Sequence, residues 1–260
     1  MSGLGSRPGG ARWRLPHWEF FAHNPGMSAS EPIFVNAFVD IAERPALIAA
    51  GEQLARCLEL AANRPWPVRL QFLEDEAALA GTDNATVLVA SLLPELKRSG
   101  QSWPDIGTRW RAFFKSPQAQ AAVSTFLCTI FRHVSSASYG SAAEAALVME
   151  KIRRLNLMAA EVSHDTGTNV IDFDRVFAHA GARALQTDYM LGGAAATDLA
   201  AHTIVSALLA VGLDDVLPLE IHERAREIHE ADAQNALRTA SKYARDLWLR
   251  PKPSRIRPAN

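Results

Sequence analysis

Residues 85–92 read ATVLVASL, apolar at every position except Thr86 and Ser91. A strand with one face in water alternates polar and apolar residues, whereas a strand covered on both faces does not. The run therefore reads as a strand inside a parallel sheet. Working outward, PIFVNAF (32–38), PVRLQFL (67–73) and STFLCTIF (124–131) have a similar character, and the shorter TNVIDF (168–173) follows. Helical patterns lie between them. Residues 45–61 place Pro45 at a first-turn position with helix formers behind it. Residues 142–163 set Val148, Ile152, Leu155, Ala159 and Val162 on one apolar stripe. Residues 194–210 are apolar nearly all round and read as a core helix, with Gly212 as its stop. Alternating strand and helix predicts an α/β fold. The form expected is a three-layer α/β/α sandwich with a mostly parallel, flavodoxin-like sheet of about five strands.

Composition bounds the rest. The chain has 260 residues, 48% of them hydrophobic, enough for one sizeable core. Lys and Arg number 27 and Asp and Glu 28, a net charge of -1, so there is no strong nucleic-acid signal. Cys57 and Cys128 sit in apolar stretches and read as buried free thiols, which suits a cytoplasmic protein and excludes a disulfide scaffold. No secretory apolar segment follows Arg7, Arg12 and Arg14, and no apolar run of membrane-spanning length is found. Residues 1–29 read as a disordered basic tail, 30–215 as the α/β/α domain, 216–250 as an amphipathic helix and 251–260 as a second basic tail. Ile221, Ala225, Ile228, Ala240, Tyr243 and Leu247 trace the stripe of that helix. Its small residues favour docking on the domain, with a protein partner or self-association as the alternative.

In open α/β sheets, ligands bind beyond the carboxyl ends of the strands. The polar groups there are Asp40, then Glu74 and Asp75, then Ser91 and Glu95, then Arg132 and His133, then Asp172 and Asp174. Asp172 and Asp174 are two apart and would share one side of an extended chain, where they could hold a cation or orient a histidine. Against that, Asp174 reads as a cap for the next helix with Arg175 as its ion-pair partner. His202, about two turns into its helix, reads as a core histidine. P-loop, dinucleotide, G-x-S-x-G and H-E-x-x-H motifs are missing, and His133, His164, His179 and His202 have no zinc-ligand spacing. No cofactor and no metal are expected.

The run NVIDFDRVF (169–177), TDYMLGG (187–193) and AAHTIVSALL, preceded by FLCTIFRHV (126–134), resembles the end of the SGNH (GDSL) hydrolases. The resemblance implies a flavodoxin-like α/β/α sandwich and esterase or acyl-transfer chemistry. That family keeps its nucleophilic serine in a Gly-Asp-Ser just after the first strand. Here the region reads FVNAFVDIAERP, without serine. The family's Asn after the third strand falls near ASLLPE, and its Asp-x-x-His becomes Asp188 to Leu191, so only Asp188 carries over.

Three functions compete. In the first, a divergent esterase acts on a carbohydrate or small metabolite, with Ser91 and His133 converging and Asp172 or Asp188 orienting the histidine. In the second, a catalytically degenerate SGNH-like protein binds a ligand in the crevice and a partner through the last helix. In the third, Arg132, His133 and Arg175 meet phosphate oxygens, with backbone donors from Thr166-Gly167 nearby.

Overall fold

A computed structural model describes residues 32–81, 85–98, 100–135, 139, 141–181 and 185–249; for 80–81 and 236–249 only the backbone is described. The two basic tails named above lie outside these residues. The strands are β1 (Ile33–Phe38), β2 (Val68–Phe72), β3 (Val87–Ser91), β4 (Ser124–Cys128) and β5 (Asn169–Ile171). They form one sheet in the order β2-β1-β3-β4-β5. Every pairing is parallel. This is the flavodoxin-like order, with its crevice where the chain reverses direction across the sheet, between β1 and β3.

The helices are α1 (Arg44–Ala62), α2 (Trp103–Phe114), α3 (Pro117–Gln120), α4 (Ala142–Thr166), α5 (Phe173–Ala180), α6 (Ala194–Val211) and α7 (Leu219–Leu249). Their ends follow ordinary capping chemistry. Ser141 and Glu144 form a capping box at the start of α4, and the helix ends on Gly167 at φ 76. Ser102 caps α2, accepting from the Asp105 N–H at 3.3 Å.

β3 is buried at all of its residues, as its unbroken apolar run requires. Phe38, Leu88, Ala90 and Leu127 pack with Ile106, Trp110, Phe113 and Phe114 of α2 and with Ile152, Leu155, Ala159 and Val162 of α4. On the other face, Val35 and Leu70 meet Leu47, Leu54, Ile204 and Leu208 of α1 and α6. β2 is the exception to continuous burial. It lies at the sheet edge and alternates, with Arg69 and Gln71 exposed. Four of the five residues expected on the α4 stripe, Ile152, Leu155, Ala159 and Val162, are buried, while Val148 is only partly so.

Two readings of α6 are refined. Its 18 residues do reach membrane-spanning length and composition, at a mean hydropathy of 1.6, and half of that window is buried within the protein. Gly212 ends the helix, but its φ of -106 is not left-handed. A Cβ there would stand 2.8 Å from Phe126 Cζ, so close packing on the sheet is what requires glycine. α2 has no counterpart in the sequence reading. Gly107 and the aromatics weaken local helix propensity, and the packing of Trp110, Phe113 and Phe114 on the sheet supplies what propensity lacks.

Candidate functional site

The crevice begins where β1 ends. Val39, Asp40 and Ile41 follow the strand, and Glu43 stands just before α1. Glu43 is buried, and both its oxygens are occupied. Its Oε1 accepts from Ser91 Oγ at 2.7 Å. Its Oε2 accepts from the Asp40 N–H at 3.0 Å. Desolvation pushes the Glu43 carboxyl up to about 7, against the lowering effect of these two bonds. Asp40 in turn accepts from the Ala42 N–H and from Lys97 Nζ, the latter at 2.6 Å.

Ser91, the last residue of β3, is fully buried. Its hydroxyl donates to Glu43 and accepts from the Leu93 N–H at 3.0 Å. It therefore lies under the crevice floor. Ile41, by contrast, is 72% exposed, one residue after Asp40. The position after Asp40 thus holds an exposed aliphatic side chain.

The β4 side is built from backbone clamps. The Asn156 amide accepts from the Ile130 N–H at 2.8 Å and donates to the Ile130 carbonyl at 2.7 Å. The Asp174 carboxylate accepts from the Arg132 N–H at 2.9 Å and pairs with Arg132 Nε at 2.5 Å. Asp172 caps α5, accepting from the Arg175 N–H at 3.0 Å and from Thr129 Oγ1 at 3.1 Å. The cap expected of Asp174 is therefore Asp172, and Asp174 pairs with Arg132 rather than with Arg175. They do not share one side of an extended chain either, because the helix begins at Phe173.

His133 is half-buried, its ring 5.8 Å from that of Phe131. Its carbonyl accepts from the Tyr189 N–H at 2.8 Å, which ties the β4 loop to the loop before α6. The Tyr139 and Tyr189 hydroxyls are 2.6 Å apart. Desolvation and this bond hold the Tyr139 phenol above its ordinary value. Asp188 accepts from the Met190 N–H at 2.9 Å, turning its own loop. Leu191 is buried and sits at φ 54, a left-handed conformation unusual for leucine. Leu191, where the sequence resemblance would set a histidine, is a core residue.

The expected convergence of Ser91, His133 and a carboxylate is not made. Ser91 is bonded to Glu43, Asp172 to Thr129 and α5, and Asp188 to its own loop. The sequence reading passed over Glu43, although an acid three residues beyond Asp40 and next to a helix start was a usable signal. The phosphate reading meets a geometric obstacle. Thr166-Gly167 precedes β5, at its amino end, whereas Arg132 and His133 follow β4, at the carboxyl end of the parallel strands. Arg132 is also committed to Asp174. Among the described residues, no three His, Cys, Asp or Glu side chains gather as a metal site requires.

The sequence matches no family model and no curated protein. Among solved structures it is similar to an acetyl xylan esterase, at a TM-score of 0.51 and 14% identity over 68% of this chain and 100% of that one. A DUF4886 family protein from Bacteroides uniformis superposes at 0.41 and 14% identity, covering 81% of this chain and 96% of that one. The likeness to the esterase shows the fold. The chain is an SGNH-like α/β/α sandwich. At that identity, chemistry has to be argued from residues.

Proposed function

We propose that the chain is a catalytically degenerate SGNH-like protein that binds a small polar ligand, a carbohydrate or metabolite, without hydrolysing it. One observation carries this reading. The fully buried Ser91 spends its hydroxyl on Glu43, while the exposed position beside Asp40 is Ile41. An acyl-transfer nucleophile must be reachable and must hand its proton to a base. Ser91 is bonded to an acid held under the floor, and Leu191 removes the histidine that would receive a proton. The remaining groups at the rim, His133, Asp188, Tyr139 and Tyr189, offer hydrogen bonds and aromatic surface. Such groups recognise sugar hydroxyls without needing a reaction.

The test is incubation with a fluorophosphonate probe followed by intact-mass measurement, alongside an aryl acetate assay. The expected result is no adduct and no turnover, together with a thermal shift on adding xylo-oligosaccharides as a probe ligand. A stoichiometric adduct mapped to one serine would overturn the reading and restore the esterase.

A further inference from the structure

α7 rests on α1 and α6 through an unusual surface. Of its residues 219–235, three are buried: His222, Ala225 and His229. Two of these can take up a proton. Both histidines reach α6 through Nε2. His222 Nε2 lies 2.8 Å from the Leu209 carbonyl oxygen. His229 Nε2 lies 3.1 Å from the His202 carbonyl oxygen and 2.9 Å from Ser206 Oγ. A carbonyl only accepts, so in each neutral ring the proton is on Nε2. His229 Nδ1 is then a bare acceptor, buried and without a partner.

The rings of His229 and His202 are neighbours, with centroids 5.3 Å apart and planes tilted by 33°. His202 Nδ1 also lacks a partner, and its Nε2 is 3.8 Å from Asp198 Oδ1. Asp198 is already bonded to Gln53 Nε2 of α1 at 3.1 Å. The charged and titratable groups around the pair are Arg56 and Cys57 from α1, Asp198 from α6, and Glu230 and Asp232 from α7. The acids favour charge on the rings and Arg56 opposes it, but burial outweighs both and holds the two histidines below their ordinary value.

We propose that α7 is an acid-released helix: on acidification the adjoining His202–His229 pair takes up protons, and the first half of α7 leaves α1 and α6. Protonating His229 puts an N–H on an Nδ1 that has no acceptor. Protonating both sets two cations against each other. Undocking returns the His229 ring to water, where it binds its proton freely, so the released state holds more protons. Docking strength is complete above the ordinary histidine range and falls as pH drops below about 6.5. The sheet and the α2–α4 layer take no part in this contact.

The test is amide hydrogen exchange on the full chain at pH 7.5 and 5.0, corrected for intrinsic exchange. In the wild type, protection over 219–235 is expected to fall on the order of tenfold further than protection in β1, β3 and β4. His229→Gln keeps a side-chain donor but cannot be charged, and is expected to remove most of that excess loss. His202→Gln is the second variant, and a urea melt at pH 7.5 selects whichever folds. Helix and sheet losing protection together, or a folded variant keeping the full acid response, overturns the proposal.

Discussion

Two regions of this protein bury titratable groups, and they do so in opposite ways. Under the crevice, Glu43 is surrounded by donors: Ser91 Oγ and the Asp40 N–H take both its oxygens. Between α1, α6 and α7, His202 Nδ1, His229 Nδ1 and Gln53 Oε1 are buried with no partner. The first region is a completed network. The second is held by shape and by Nε2 bonds, with acceptor capacity left over. The two should answer pH in opposite directions. A carboxyl raised in the fold binds its proton more tightly there than in the open chain. Its stabilisation is complete below about pH 4.5 and is lost as pH rises toward 7. A histidine lowered in the fold stabilises above its ordinary value and loses that contribution as pH falls.

The largest effect expected from breaking this comparison is at Glu43. Glu43→Gln removes the titration, so the stability of the variant relative to wild type should rise between pH 4.5 and 7. The change should be on the order of 3 kcal/mol by urea melts across that range. A flat difference would mean that Glu43 does not titrate in the fold. Next is Ser91→Ala, which leaves Glu43 Oε1 buried without its donor. It should cost about 1–3 kcal/mol in the same assay. Turnover of an aryl ester by the wild type that this variant abolished would instead place Ser91 in catalysis. The smallest is Gln53→Leu. It replaces a side chain whose Oε1 already lacks a partner, so stability should change by less than about 1 kcal/mol. A loss as large as that of Ser91→Ala would erase the distinction between the regions.

Much of the scaffold was legible because local pattern and global fold agree. The strands read at 32–38, 85–92 and 168–173 are found at Ile33–Phe38, Val87–Ser91 and Asn169–Ile171. The helix read at 194–210 is found at Ala194–Val211, with His202 buried as expected of a core residue. The helix read at 216–250 runs Leu219–Leu249. Its buried contacts include His222 and His229, which the apolar stripe did not name. Hydropathy treats a histidine as polar, whereas a helix surface can seat it against a carbonyl.

The site was less legible, because strand-end positions identify a neighbourhood and not partners. From sequence, Ser91 and His133 were equally good ends of strands, and Asp172 and Asp174 were two acids on one chain. The sequence by itself determined the alternation of apolar runs and helix stripes, the order of elements, and the lack of a serine beside Asp40. Those follow from periods of 2 and 3.6 and from residue identity, which are local. Only the tertiary structure decided that Ser91 faces Glu43, that Asp174 pairs with Arg132 rather than Arg175, and that His229 meets His202. Those pairings join residues 27 to 48 positions apart. Such contacts depend on which backbone ends the sheet and helices bring within 3 Å, a geometry that no short stretch of sequence encodes.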